Sequence, residues 1–205
     1  MNWSIRYMCR LLETIKIEDG YPCDLELHNE RMNSVRFALF GRTDYIDLNG
    51  IITIPSDCRR GVFKCRVVYA HDIITIGFEQ YVKRIIKTLK IVRDDNIDYS
   101  YKYENRECLH KLLRQKDDCD DILIIKRNLV TDTSFSNIVF HDGQRWVTPS
   151  DPLLKGTKRE LLLLEGIIEQ EYLSINDMHR FSRASLINAM LELEDSVVET
   201  AGIVF

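Results

Sequence analysis

Apolar and polar residues alternate along residues 10–18 and stop at the turn pair Asp19-Gly20, which predicts a strand entering a hairpin. Residues 26–40 carry apolar side chains at helical spacing, which predicts an amphipathic helix. Val, Ile, Thr and Tyr dominate the next runs, which predicts short strands. These runs are residues 51–54, 62–70 and 73–82, with residues 84–92 as a further strand candidate.

The second half of the chain alternates between helical and strand-like patterns of apolar residues. Helical spacing covers residues 104–115, and residues 121–126 form a compact apolar strand. Residues 137–140 and 145–148 flank the polar segment 141–144, which predicts a hairpin. Gly156-Thr157 precedes a strong helical pattern over residues 158–170, and the order beyond Ser185 stays unassigned.

A polar, turn-rich stretch over residues 93–98 is the best candidate for a linker. The elements on either side are mixed, without the regular strand-helix alternation of a doubly wound sheet. The sequence therefore predicts an α+β fold with an N-terminal lobe (1–92), a linker (93–102) and a C-terminal lobe (103–205).

Composition narrows the class of protein. The 205 residues are 45% hydrophobic with 28 basic and 32 acidic side chains, a net charge of −4, which disfavours a general nucleic-acid binder. Apolar runs are too short for a membrane span. The six cysteines form no CxxC pair and show no metal-ligand spacing with the histidines. The N-terminal residues carry no apolar core of the kind found in a signal peptide. Free thiols in a reducing cytoplasm are expected, with neither metal nor membrane.

Four positions offer chemistry, each with an ordinary structural alternative. Gly156 leads into a helix whose first N–H groups, at Thr157 and Lys158, could bind phosphate, or could simply belong to a capped helix. Lys102 could form a Schiff base, or be a solvated lysine. Asp132 could be a turn carboxylate following a buried strand, and Arg31 a helix-surface charge.

The order of these positions along the chain is more specific than any one of them. The segments are Leu12-Glu13-Thr14-Ile15, His28-x-x-Arg31, Lys102-x-x-Asn105-Arg106, Thr131-Asp132 with Ser136-Asn137-Ile138, Thr148-Pro149, Leu154-x-Gly156-x-x-Arg159 and Asn188-Ala189-Met190. Together they resemble the class IV aminotransferase family, and the last segment is similar to its aminodeoxychorismate lyase branch. The resemblance spans roughly residues 10–190.

The resemblance implies a two-lobed, α+β pyridoxal-phosphate fold of type IV, like that of D-amino-acid aminotransferase, with pyridoxal 5'-phosphate between the lobes. Lys102 would hold the cofactor aldehyde and act as general acid and base. Asp132 would pair with the ring nitrogen, and Arg31 would bind the phosphate bidentately. Backbone N–H groups of Thr157 and Lys158, after Gly156, would complete the phosphate site. Asn137 matches a family position with a supporting role.

Several departures from the family pattern accompany this match. The family's first strand and Gly-Asp segment are not seen, which predicts an N-terminally shortened fold. Asp132 replaces the usual Glu and is one methylene shorter, a difference in reach of roughly 1.5 Å. Lys155 takes the place of a proline, and no Pro-Val follows Met190.

Three functions are compatible with these residues. The first is a lyase resembling 4-amino-4-deoxychorismate lyase, which releases pyruvate to give 4-aminobenzoate for folate synthesis. The second is a transaminase acting on branched-chain or D-amino acids, and the third is a non-catalytic relative. The resemblance also implies a small-molecule amino substrate and a homodimer, and the balance of charge implies no nucleic-acid partner.

Overall fold

The computed structural model describes residues 9–205, which divide into two compact units. The first comprises residues up to Lys83 together with Tyr101–Asn105, and the second comprises Arg84–Ser100 and Arg106–Phe205. The boundary differs from the predicted one, because residues 84–92 group with the second unit. The strand within them pairs there, and Tyr101–Asn105 returns to the first unit.

An antiparallel sheet with the order β2-β1-β3-β4 forms the described part of the first unit, together with one long helix. β1 and β3 pair from Leu11 opposite Tyr69 to Glu18 opposite Val62. Asp19 and Gly20 both have positive φ, as a two-residue hairpin turn requires. The elements are β1 (Leu11–Glu18), β2 (Tyr21–Pro22), α1 (Leu25–Phe40), β3 (Val62–Tyr69) and β4 (Ile73–Gln80), with 3-10 turns at Leu48–Gly50 and Ser56–Cys58.

Helix α1 lies against the face of β1 that carries the odd-numbered residues. Successive side chains of a strand point to opposite faces, so Leu11, Ile15 and Ile17 share one face with residue 13. They pack with Met32 of α1 in a buried apolar cluster. Residue 13 is a glutamate and is completely buried, so a carboxylate occupies an inward position in this core.

A second sheet forms the main part of the second unit, with the order β10-β9-β8-β7-β6-β5-β13, and β11 joins β8 to β12. The pairs β5-β6, β5-β13 and β9-β10 are parallel. The strands are β5 (Leu89–Arg93), β6 (Asp121–Lys126), β7 (Leu129–Thr133), β8 (Asn137–His141), β9 (Trp146–Pro149), β10 (Ile168–Glu171), β11 (Arg183–Ile187), β12 (Val197–Glu199) and β13 (Ile203–Val204). The helices are α2 (Glu107–Leu113) and α3 (Thr157–Leu164), with 3-10 turns at Ile175–Arg180 and Thr200–Gly202.

Most predicted elements are confirmed, with three corrections. Residues 51–54 are irregular rather than a strand, and Ile51 is exposed. Residues 84–88 precede β5 instead of belonging to it, with Ile85 exposed to solvent. Helix α3 ends at Leu164 instead of continuing to residue 170, because Gly166 adopts the left-handed conformation (φ 67°) that ends helices.

All six cysteines are free thiols. Within residues 9–205, no helix is long and apolar enough to cross a membrane, and no group of three or more His, Cys, Asp or Glu side chains could hold a metal ion.

Candidate functional site

A buried glutamate on β1 binds two side chains of α1. Glu13 Oε1 accepts from Arg31 Nε at 2.9 Å, and Arg31 Nη2 donates to the second oxygen of the same carboxylate. Oε2 also contacts His28 Nδ1 at 2.6 Å. His28 and Arg31 lie one helical turn apart, so both side chains leave α1 on the face that meets β1. The guanidinium fork of Arg31 therefore faces Glu13, and its binding to phosphate stays a prediction.

The pKa values of Glu13 and His28 are both lowered in this cluster, for different reasons. Burial alone would raise the pKa of Glu13, but the charge of Arg31 and the hydrogen bonds from His28 and Arg31 lower that pKa to about 2. Burial lowers the pKa of His28, and the bond to Glu13 only partly opposes this. The cluster therefore holds an ionised Glu13, a cationic Arg31 and a neutral His28 at neutral pH.

Lys102 lies in the segment of the first unit that returns to β1. Its carbonyl oxygen accepts from Leu12 N at 2.9 Å. The rings of its sequence neighbours Tyr101 and Tyr103 contact each other edge to face, with their centroids 6.1 Å apart. The ammonium is close enough to His28 for its charge to lower the pKa of that imidazole. β1 therefore brings together Lys102, through its backbone, and Arg31, through Glu13.

Asp132 of the second unit lies within β7, and not in a turn as its ordinary structural alternative would have it. Its carboxylate is bonded to amide groups: Oδ1 accepts from Asn137 Nδ2 at 2.7 Å, and Oδ2 accepts from Leu154 N at 3.0 Å. Burial raises the pKa of Asp132 to about 6, although these donors and the charge of Arg159 oppose the rise. A cationic group placed beside this carboxylate would be stabilised by it and would in turn lower its pKa.

Gly156 precedes the first residue of α3 and lies in direct contact with Asn137. A Cβ at position 156 would lie 2.1 Å from Asn137 Oδ1, so only glycine fits here without displacing that side chain. Gly156 is the N-cap of α3, and Thr157 and Lys158 form its first turn, as predicted. N–H groups at a helix start point outward along the axis and favour anions.

Two basic side chains in the first turn of α3 are almost completely buried. Lys158 Nζ forms an ion pair with Glu192 Oε2 at 2.9 Å, and Arg159 Nη2 donates to Pro149 O at 2.9 Å. Burial lowers the pKa of Arg159, and the charge of Asp132 opposes this. Glu192 thus places a negative charge next to the helix start that was predicted to bind phosphate.

The structure groups the predicted site residues by unit. Arg31 and Lys102 belong to the first unit, where each is hydrogen-bonded to a residue of β1. The second unit contains Asp132, Asn137, Gly156, Thr157 and Lys158. Sequence reasoning gave no role to Glu13 or Glu192. Glu13 had a detectable signal, since it is the only acidic residue at an odd position of an otherwise apolar strand face; Glu192 had none.

Taken unit by unit, these groups are of the kinds that a phosphorylated pyridine aldehyde requires. The first unit offers an amine and a guanidinium, and the second offers a helix start opened by a glycine. Asp132 tests the fit: its buried carboxylate accepts from the Asn137 side-chain amide and from the Leu154 N–H, and its pKa is raised, so a protonated ring nitrogen would suit it.

Comparison with known proteins agrees with this chemistry. The model of the amino-transferase class IV family matches residues 69–194. An uncharacterized protein of Haemophilus influenzae Rd is 35% identical over 185 residues, which cover 89% of this chain and 98% of that protein.

Two solved structures are similar in fold. A Haemophilus somnus 129PT protein, provisionally named 4-amino-4-deoxychorismate lyase, is 34% identical with a TM-score of 0.84, covering 89% of this chain and 97% of that one. A hypothetical aminotransferase from Mycobacterium tuberculosis in its PLP-bound form is 14% identical with a TM-score of 0.72, covering 95% and 81%. The predicted fold is confirmed, and the chain belongs to the class IV aminotransferases, a pyridoxal-phosphate-dependent family of fold type IV.

Proposed function

We propose that this protein is a pyridoxal-phosphate-dependent lyase that converts 4-amino-4-deoxychorismate into 4-aminobenzoate and pyruvate. The observation that carries the cofactor assignment is the buried carboxylate of Asp132, held by Asn137 and by the loop before α3. The choice of reaction is supported by the name of the Haemophilus somnus protein, which is similar to this chain over nearly its whole length.

Each unit would contribute different contacts to the cofactor. Lys102 would bind the aldehyde, and Asp132 would bind the ring nitrogen in its protonated form. Arg31 and the N–H groups of Thr157 and Lys158 would bind the phosphate, with Gly156 allowing the helix start to approach it. When bound, the cofactor supplies an electron sink for the substrate carbon that carries the amino group.

The chain's own residues account for the proton transfers. Lys102 Nζ would take the proton from the ring carbon that bears the amino group, and that C–H electron pair would form a ring double bond. The neighbouring C–O bond to the enolpyruvyl group breaks, and its electron pair leaves with the enolate, which becomes pyruvate on protonation. The ring becomes aromatic, so no external oxidant or reductant is needed.

Lysine trapping tests the cofactor assignment. The purified protein, incubated with pyridoxal phosphate, is expected to absorb in the near-visible range, and borohydride reduction followed by peptide mapping should find the pyridoxyl group on Lys102. Lys102→Ala should lose both signals. Lys64→Ala is the matched control, because Lys64 belongs to the same unit and pairs with Glu79 at 2.7 Å; it should retain both. Label on another lysine, or none, contradicts the proposal.

Product analysis then separates the candidate reactions. Fluorescent 4-aminobenzoate should appear with 4-amino-4-deoxychorismate as substrate and should not appear with Lys102→Ala. Conversion of the cofactor to its amine form by L- or D-amino acids, without 4-aminobenzoate, would instead support a transaminase. A colourless protein in which Lys102→Ala changes no activity would support a non-catalytic relative.

The assembly and compartment complete the proposal. We expect a homodimer, as the family resemblance implies, which light scattering of the purified protein would measure. The six free cysteines support a reducing compartment such as the cytoplasm.

A further inference from the structure

Asn137 occupies the place where β7, β8 and the loop before α3 meet. Its Nδ2 group donates to Asp132 Oδ1 at 2.7 Å and to Leu154 O at 2.8 Å. On its other side, Oδ1 lies 2.1 Å from the position that a Cβ of Gly156 would take. One buried amide therefore contacts both the carboxylate and the loop that leads into the helix.

We propose that Asn137 is a positioning residue that couples Asp132 to residues 154–156, so that the carboxylate and the start of α3 keep one fixed arrangement. The coupling deepens the proposed function, since it links the group assigned to the cofactor ring with the group assigned to its phosphate. Asn137 itself would act through Asp132 and Gly156 rather than on the reacting atoms.

The hydrogen-bond pattern explains why a single side chain has this effect. Leu154 is bonded through both backbone groups, its N–H to Asp132 and its carbonyl to Asn137. Asn137 donates to the same carboxylate that Leu154 binds, which closes a ring of three residues. Asp132 and Asn137 are buried and Leu154 is half-buried, so removing the amide leaves a buried carboxylate oxygen without one of its donors. Both Asp132 and the loop would then gain freedom to move.

A double-mutant cycle tests the coupling through pyridoxal phosphate affinity, measured by absorption or fluorescence titration. Asn137→Ala is expected to weaken binding at least about tenfold. Gly156→Ala should weaken it comparably, because the new methyl group displaces the Asn137 side chain. The double variant should bind no more weakly than the worse single variant, since a Cβ at 156 meets only Asn137 within 4 Å. Losses that multiply, or an unchanged affinity of Asn137→Ala, would overturn the proposal.

A second measurement uses the protein without cofactor. NMR titration of the Asp132 carboxyl carbon should show a higher midpoint in Asn137→Ala than in the wild type, because a donor to the ionised form is lost. The Leu153 and Leu154 N–H groups and the charge of Arg159 act on this carboxyl in both proteins. Asn137→Leu, which keeps the size of the side chain but lacks the donor, should also raise the midpoint and replaces the alanine variant if that does not fold. An unchanged midpoint contradicts the coupling.

A control separates positioning from a general loss of stability. Ser174→Ala removes a 2.6 Å hydrogen bond to Asp177 in the same unit. It should lower stability without changing cofactor affinity or the Asp132 midpoint, and a change in either would count against a specific role of Asn137. If the wild type fails to bind pyridoxal phosphate, the proposed function fails, whereas the NMR comparison still decides the coupling.

Discussion

Arg31 donates to Glu13 through two nitrogens of its guanidinium group, and this contact joins α1 to β1 inside an apolar core. The two residues are 18 positions apart in the chain. The carboxylate of Glu13 is fully buried. A buried charge is tolerated only when it is paired and hydrogen-bonded. Arg31 therefore depends on Glu13 for its position, whatever ligand it later meets.

Replacing Glu13 with glutamine should destabilise the first unit. The variant removes the charge that pairs with Arg31 and that accepts a hydrogen bond from His28, and breaking a buried pair costs about 3 to 5 kcal/mol of unfolding free energy. Because the pKa of Glu13 is lowered to about 2, its contribution in the wild type is complete above the ordinary glutamate pKa and is lost as pH falls from about 4.5 towards 2. Urea denaturation at several pH values measures both effects.

Glu18→Gln is the control for that experiment. Glu18 ends the same strand but is exposed and pairs with Lys16 at 3.0 Å, so its replacement should cost less than about 1 kcal/mol. Equal losses for the two variants would show that burial of the Glu13 pair is not what matters.

Asp132 should contribute to the pH dependence of stability in the sense opposite to Glu13, and Asp132→Asn should remove that contribution. The folded-state pKa is raised to about 6, so the folded protein holds this proton more tightly between about pH 4 and 6. The unfolding free energy of the wild type, relative to the variant, should therefore fall by about 3 kcal/mol as pH rises through that window and stay level above it. Denaturation of the two cofactor-free proteins measures the difference.

Asp120→Asn provides a comparison of opposite sign. N–H groups of Lys87 and Thr88 bind Asp120, and its pKa is lowered. The wild type should gain stability over this variant as pH rises above the lowered pKa. The same direction of change for both aspartates would contradict the assignment of a raised pKa to Asp132.

Glu192→Gln should strengthen phosphate binding at the start of α3. It removes a negative charge 2.9 Å from Lys158 Nζ, and an effect of one charge at a helix start corresponds to roughly a two- to fivefold change in affinity. Lys158→Met should weaken binding. Competition between inorganic phosphate and pyridoxal phosphate at low salt measures both.

The salt pair between Arg145 and Glu169 offers the control for Glu192. Both members are exposed, and Glu169→Gln should leave phosphate binding unchanged. If Glu192→Gln and Lys158→Met shift affinity in the same direction, the charge argument is wrong and their effect is structural.

Arg36→Met should cost stability without affecting the chemistry. Arg36 is fully buried and donates to the carbonyl oxygens of His71 and Asp44 and to the Asp44 carboxylate. Methionine leaves these acceptors without their donor, at a cost of about 3 kcal/mol or more. Arg42→Met, which alters a half-exposed partner of the same aspartate, should cost less than about 1 kcal/mol. Activity per folded molecule should stay the same in both, and a selective loss in Arg36→Met would assign it a role in the site.

Local sequence signals predicted the elements whose limits are local. The Asp19-Gly20 turn and the spacing of α1 are examples, since turn conformation and helix periodicity depend on neighbouring residues. Residues 51–54 were predicted wrongly because apolar composition alone does not create a strand partner. The end of α3 was predicted wrongly because the left-handed conformation of Gly166 outweighed the apolar residues that follow it.

The sequence supplied candidate members of the site but not their contacts. Motif order identified Lys102, Asp132 and Gly156 without any knowledge of distance. The pairing of Arg31 with Glu13, and the contact of Asn137 with Gly156, depend on which faces of distant elements meet. No spacing rule reports that, so these contacts required the structure.

Strand β1 has a consequence for how this chain can vary. The backbone N–H of Leu12 donates to the carbonyl oxygen of Lys102. The side chain of the next residue, Glu13, binds Arg31 of α1. Inserting or deleting one residue between Glu13 and Gly20 would shift Glu13 by one position relative to the hairpin turn. Its side chain would then point to the other face of the sheet, even if every apolar residue were kept. Length changes in homologous chains should therefore collect in the connections outside this strand, and the eight positions of β1 should be inherited as one block.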